Sequence, residues 1–426
     1  MTEFQKVRLG DFIEILTDYH ANGSYEVLEK NITLKRNPDF AVMIRTLNFE
    51  RSDFKDQLIY LNKTEYEYLS KTKVYPDDIL MNKIANPGTV YLMPDLEKPV
   101  SLAMNLFLIR FNSKMNQQFM YYLMKNNEKY IKRLAGGTTT HTIRKDVIRD
   151  IEFMVPPKSK QDSIAVFLTK LNSKIELNNK INEKLEAIAN LIYDYWFVQF
   201  DFPDKNNKPY KSSGGKMVYN KNLKKEVPFT WAVRNISEIM QICSGYPFKS
   251  TNYLDSGTYK IVTIKNVQDN ILKMDNTVFV NSLPSDIDSS SILSLQDILI
   301  SLTGNVGRIC LVDEKNLLLN QRVGKFKTDP IFKNYFYLTY RKSDFRSWLE
   351  RISNGTSQKN LSPIEAVNRL HAFPDSSILI EFDKLVGPMI KKILSNLEEN
   401  RRLESLRNWL LPMLMNGQVT VSSKIK

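Results

Sequence analysis

The chain has 426 residues, a net charge of +13, 42% hydrophobic and 25% charged residues, which is too long for one ordinary core and has the composition of a soluble protein of two or three domains. Two cysteines without CxxC spacing, Cys243 and Cys310, and three scattered histidines, His20, His141 and His371, exclude a disulfide framework and compact zinc motifs, so the histidines read as ordinary surface or turn residues. No apolar run approaches the roughly 20 residues that cross a bilayer and the start has no signal-peptide plan, so we expect a cytoplasmic protein without membrane contact, whose positive charge suits a polyanion.

In chain order, the apolar run opening Asp78–Gly88 predicts a buried strand entering an Asn/Gly turn. Gln117 to Leu134 predicts a helix, Gly137 to Lys145 a polar and basic loop, and Ile151 to Val155 a strand. After Pro156 the period becomes helical: Leu168, Leu171, Ile175, Asn178, Asn182, Leu185, Ala189 and Ile192 form a heptad seam. Residues 205 to 225 then carry seven lysines and no acid around Pro209 and Ser212-Ser213-Gly214-Gly215, the composition of an exposed connector or a phosphate-tracking strap.

The second half repeats the first. Asp297–Gly307 matches Asp78–Gly88, Gly355-Thr356 matches Gly137-Thr138, and Phe373-Pro374 matches Val155-Pro156, at offsets of 218 or 219. Tyr259 to Val267 predicts a strand and Lys333 to Ile352 a helix. Ser362-Pro363-Ile364-Glu365 has the plan of a capped helix start. The second seam, Val386, Met389, Ile393, Asn396, Asn400, Leu403, Arg407 and Leu410, lies 218 residues beyond the first, with asparagines at the same places. Gly387-Pro388 interrupts it, so this helix is expected to begin near Pro388. Asparagines in a seam fix register, and we expect Asn178 and Asn182 to meet Asn396 and Asn400 across an antiparallel pair. Each helix would span about 39 residues, roughly 58 Å. The expected architecture is α/β: two similar mixed α/β heads joined by two long antiparallel coiled-coil helices, with a pseudo-twofold internal repeat. Residues 1–157 form head one, 158–200 the central helix, 201–226 the basic linker, 227–375 head two, and 376–426 the distal helix and tail.

Tyr195–Pro203, Lys208–Val218 and Val227–Trp231, with the opening Val7–Asp11 and Asn320-Gln321-Arg322-Val323, strongly resemble specificity subunits of type I restriction-modification enzymes. The resemblance covers essentially the whole chain. It implies that each head is a target recognition domain reading one half of a split, asymmetric sequence in double-stranded DNA. It also implies that the helices set the half-site spacing and dock two methyltransferase subunits, with restriction subunits completing the complex. S-adenosylmethionine, ATP and Mg²⁺ would be bound by those partners and no cofactor by this non-catalytic chain.

The motifs of those chemistries are missing: there is no Asn/Asp-Pro-Pro-Tyr/Phe loop and no GxxxxGK[ST]. Pro38-Asp39 followed by Asp53-Phe54-Lys55 has the outline of a Mg²⁺-dependent nuclease, in which two carboxylates hold the metal and a lysine steadies developing charge. The alternatives are therefore a nuclease using Asp39, Asp53 and Lys55, or a coiled-coil adaptor that does not bind DNA. For DNA contact the candidates are Lys83, Asn86, Thr138, Thr140, His141, Arg144 and Lys145 in head one. In head two they are Tyr246, Phe248, Lys249, Asn305, Arg308, Thr356, Ser357, Gln358 and Lys359. Arginine, asparagine and glutamine suit base edges, so Arg144, Arg308 and Gln358 are the expected readers, while Lys145, Lys249 and Lys359 position the backbone.

Overall fold

The computed structural model describes residues 4–137, 141–275, 277–355 and 358–421. The chain divides into two compact units, residues 1–175 with 402–426, and residues 176–401. Each contains one head and a stretch of both long helices.

In the first unit two four-stranded sheets form the head. One orders Ile13–Asp18, Leu106–Phe111, Ile79–Asn82 and Val90–Leu92, all antiparallel. The other orders Ile59–Leu61, Ala41–Ile44, Val100–Leu102 and Lys73–Val74, with a parallel pairing at its centre. Ala41–Ile44 and Ile79–Asn82 are buried at every residue, as uninterrupted apolar strands must be when both faces are covered. A small ribbon, Gln5–Arg8 with Glu152–Val155, closes the head beside the first long helix.

The second unit repeats this plan strand for strand. Its first sheet orders Met240–Ser244, Val323–Thr328, Ile298–Ser301 and Ile309–Leu311, and its second Val278–Val280, Tyr259–Val262, Leu317–Leu319 and Ile292–Leu293. Tyr259–Val262 with Leu317–Leu319 is again the parallel pair, and Ala232–Asn235 with Leu370–Phe373 is again the ribbon. The repeat in the sequence is thus a repeat of topology.

Several elements depart from expectation. The helix expected over Gln117 to Leu134 is two, Gln117–Asn126 and Glu128–Arg133. Asn127 breaks it, turning its side-chain amide back onto the carbonyl of Leu123 at 2.8 Å, a local bond that competes with helix continuation. The counterpart is likewise Pro330–Tyr340 and Ser343–Ile352. Ser362-Pro363-Ile364-Glu365 opens only a single turn, Glu365–Val367, because Ala366 and Val367 are buried and the chain must be extended by Leu370 to pair with Asn235. Residues 201–226 are folded: Phe202 stacks on Trp231 and Tyr210, the Asp201 carboxylate accepts from both the amide and hydroxyl of Ser212, and Met217–Asn220 forms a hairpin with Lys225–Pro228. Lys205, Lys208, Lys211, Lys221 and Lys224 remain exposed.

The long helices are Lys158–Tyr193, continued by a π-helical turn at Asp194–Val198, and Ser376–Met415. The second begins twelve residues before Pro388 rather than at it. An internal proline costs about 3 kcal/mol. Leu379, Phe382, Val386 and Ile390 are all buried against the second head, however, and each such side chain contributes roughly 1.5–3 kcal/mol, so packing outweighs the lost backbone bond.

Within the second unit the helices pair antiparallel. The side-chain amide of Asn178 donates to Oδ1 of Asn400 at 2.8 Å, that of Asn396 to Oδ1 of Asn182 at 2.8 Å, and that of Asn400 to Asn179 at 2.8 Å. The first two bonds exchange under the 218-residue offset, so the repeat extends to single hydrogen bonds. Within the first unit, Arg407 donates to Asn172, which donates to the Tyr122 hydroxyl at 2.6 Å. Leu414 and Met415 enter the core beside Ile164 and Leu168.

Candidate nucleic-acid interface

In the first head, strand Ile79–Asn82 leaves the sheet at Lys83 and reverses through Ala85 (φ +67°) and Gly88 (φ +83°). A Cβ on Gly88 would sit 3.0 Å from the Ile131 side chain, so the turn needs glycine for both conformation and space. Ile84 pairs with Thr142, Thr142 with Gly136, and the Lys83 amide donates to the carbonyl of Asn105 at 2.9 Å. Three segments, 83–88, 103–105 and the described residues 136–137 with 141–143, therefore meet at one edge. Asn86 and His141 are exposed there. Arg144 is exposed but held 2.7 Å from Asp146. Thr138 and Thr140 lie outside the described residues.

Lys83 and Lys145 do not reach outward. Their ammonium groups lie 2.6 and 2.9 Å from the two oxygens of buried Asp18, over the ring of Phe107. Burial alone would push the Asp18 carboxyl up, but hydrogen bonds from both lysines hold it below the usual carboxylate range. The pair clamps two segments of the edge together. Asp18 lies far from both lysines in sequence, and no local signal there announces it.

The second head builds the same edge. Thr303 and Asn354 both pair with Asn360, the Gly304 amide donates to the carbonyl of Lys359 at 2.8 Å, and the Leu302 amide donates to that of Arg322 at 3.0 Å. Asn305 and Gln358 are exposed. The Lys359 ammonium donates at 3.3 Å to the carbonyl of Glu350. Thr356 and Ser357 lie outside the described residues. Arg308, an expected reader, is tied inward by Gln268 and lies 3.8 Å from Asp269, which also holds Arg346.

Tyr246 packs edge-on against Phe248, and its hydroxyl donates to Asp286 at 2.8 Å, a bond that raises its pKa. The tyrosine therefore braces a loop, while Lys249 beyond it is exposed. A Cβ on Gly245 would lie 2.1 Å from the carbonyl oxygen of Leu319; glycine lets this loop reach Asn320 and join the edge. Gln321 and Arg322, both exposed, complete it. In the sequence their segment stands out only for its resemblance, although Gln and Arg after an apolar strand are a legible signal.

The carboxylates of the nuclease outline have local partners. Asp39 accepts from Lys35 at 2.9 Å, and Asp53 accepts from the backbone amides of Lys55 and Asp56. Among the described residues no group of three or more His, Cys, Asp or Glu side chains could hold a metal ion. No helix among them is long and apolar enough to cross a membrane. His371 corrects the surface expectation: Tyr335, Phe345 and Phe373 wall its ring, and its Nε2 lies 2.6 Å from the Tyr335 hydroxyl.

Each head thus offers an edge of three loops fixed by backbone hydrogen bonds, with Asn86, Asn105 and Arg144 exposed in head one and Asn305, Gln321, Arg322 and Gln358 in head two. Rigid loops of this composition can meet base edges and phosphates. The family described as the type I restriction modification DNA specificity domain matches residues 1–187 and 228–363, more than half of the chain. A type I restriction enzyme specificity subunit of Methanocaldococcus jannaschii is 25% identical over 310 residues, covering 71% of this chain and 69% of its own. Another, from Haemophilus influenzae, is 24% identical over 410 residues, covering 82% and 88%. The crystal structure of the S subunit of a type I restriction-modification system from M. genitalium aligns with a TM-score of 0.59 and 17% identity, over 97% of this chain and 96% of that one, and so shares the fold. With the duplicated heads and paired helices, these matches place the chain in the family of type I restriction-modification specificity subunits.

Proposed function

We propose that the chain reads a split, asymmetric DNA sequence, each head taking one half through its three-loop edge. The two long helices set the distance between half-sites and dock two methyltransferase subunits, to which restriction subunits add. S-adenosylmethionine, ATP and Mg²⁺ belong to those partners; this chain supplies recognition, not catalysis, and works in the cytoplasm. The observation that carries the reading is the exact repetition of topology with different exposed side chains at the repeated loops, such as Met104-Asn105 in one head where the other has Gln321-Arg322. A conserved frame with exchanged loop residues suits one task performed on two different sequences.

The test is an adenine methylation map of cells expressing the chain with its cognate methyltransferase subunit, against cells expressing that subunit alone. A two-part motif present only with the chain is expected. Full methylation of the same motif without the chain would refute the reading.

A further inference from the structure

In each head one short turn carries the chain from the second four-stranded sheet to the first. In head two it is Asn320–Arg322, between Leu317–Leu319 and Val323–Thr328. Its backbone is fixed on all sides. The Asn320 amide donates to Val262 at 3.1 Å, Gln321 to Tyr246 at 3.2 Å, and Val323 back to Asn320 at 2.9 Å, while the Arg322 carbonyl accepts from Leu302 at 3.0 Å. The buried Asn320 side chain also accepts from the Arg322 amide at 3.2 Å. Arg322 thus leaves an anchored point of the edge and is exposed.

The other cations of the two edges differ from it. Arg308 is held by Gln268 and Asp269, and Arg144 by Asp146. Lys83 and Lys145 are spent on Asp18, and Lys359 rests on a carbonyl. Among the described residues, Arg322 has neither an ion pair nor a side-chain hydrogen bond, so its planar fork remains available. Exposed lysines such as Lys249 suit phosphates, which demand little orientation; an anchored, unpaired guanidinium suits a bidentate acceptor of fixed direction.

We infer that Arg322 is a specificity-determining residue of the second head, reading the O6 and N7 acceptors of a guanine in the major groove. The inference rests on the proposed function. At the matching turn, head one presents Met104 and Asn105, with Met104 lining an apolar groove of about 530 Å³ together with Tyr19, Tyr25 and Met43. Its half-site therefore carries no counterpart of this guanine contact.

The test uses the full chain with its methyltransferase partner and compares wild type, Arg322→Lys and Arg322→Ala by methylation mapping and DNA binding at several salt concentrations. Arg322→Lys keeps the charge but loses the fork. It is expected to relax one guanine of one half-site, with discrimination falling about tenfold or more, while the salt dependence and the other half-site stay as in wild type. Arg322→Ala should relax the same position. An unchanged motif in Arg322→Lys, with Arg322→Ala merely binding all sequences less tightly, would make Arg322 a phosphate contact and overturn the assignment. So would a wild-type motif lacking guanine in the half that the second head reads. If the wild-type chain directs no motif, the proposed function itself has failed. Methylation of the unaltered half-site motif reports that each variant is folded.

Discussion

Asp18 shows how one buried carboxylate can take residues away from the role their sequence suggests. Lys83 and Lys145 read in the sequence as DNA contacts, Lys145 as one that positions the backbone, and the structure turns both onto this one buried carboxylate. Asp18→Asn would leave two ammonium groups close together without their counter-charge, and should cost about 1–3 kcal/mol, the lysines being partly exposed. A lowered urea midpoint checks this; an unchanged midpoint would mean that the clamp contributes nothing. Because the folded-state pKa of Asp18 is depressed, its stabilisation is present above the unfolded carboxylate value, about 3.9, and is lost as pH falls through the folded value. His371 has the same sense. Burial, then Lys225 and Arg369, push its pKa down to about 3, so it stays neutral when folded and disfavours folding progressively as pH drops below about 6.5. His371→Gln should flatten the acid side of the stability profile between those values. An equally steep loss would sink that assignment. Neither partner set was legible in the sequence, since each joins segments brought together only by the tertiary fold.

At the scale of elements, heptad spacing and matched asparagines make the helix pair legible, because period and offset are properties of the sequence itself. Helix limits were less legible. Gly387-Pro388 argued locally for a start that burial of Leu379, Phe382 and Val386 overrides. Pro388→Ala should therefore raise stability by about 1–3 kcal/mol without moving the helix, read as a higher unfolding midpoint. The asparagine cluster makes the opposite trade. Oδ1 of Asn178 and Oδ1 of Asn396 are buried without a hydrogen-bond partner among the described residues, a cost that apolar residues would not incur. Replacing Asn178, Asn182, Asn396 and Asn400 with leucine should leave the chain folded and at least as stable, yet loosen the register. Mapping would then show a changed or mixed half-site spacing; a single unaltered spacing would assign register to other contacts.

For the whole molecule, the duplication is the fact from which the rest follows. It was visible in Asp78–Gly88 against Asp297–Gly307, and strand order repeats throughout. What the sequence left hidden is which repeated loop residues face outward, because that depends on partners such as Gln268, Asp269 and Asp286. The exposed lysines of 205–224 belong to this scale too, since a phosphate contact takes any sequence alike. Neutralising Lys205, Lys208, Lys211, Lys221 and Lys224 should weaken binding uniformly and reduce the slope of log affinity against log salt by about 0.9 per lost phosphate contact. An unchanged slope would remove the linker from the interface. The central claim is that each head reads its own half of the target. The most direct measurement is a methylation map directed by a chain in which residues 227–375 are exchanged for the corresponding head of the Haemophilus influenzae relative. We expect one half of the motif to change while the other half stays as in wild type. A motif altered in both halves, or in neither, would contradict independent reading by two heads.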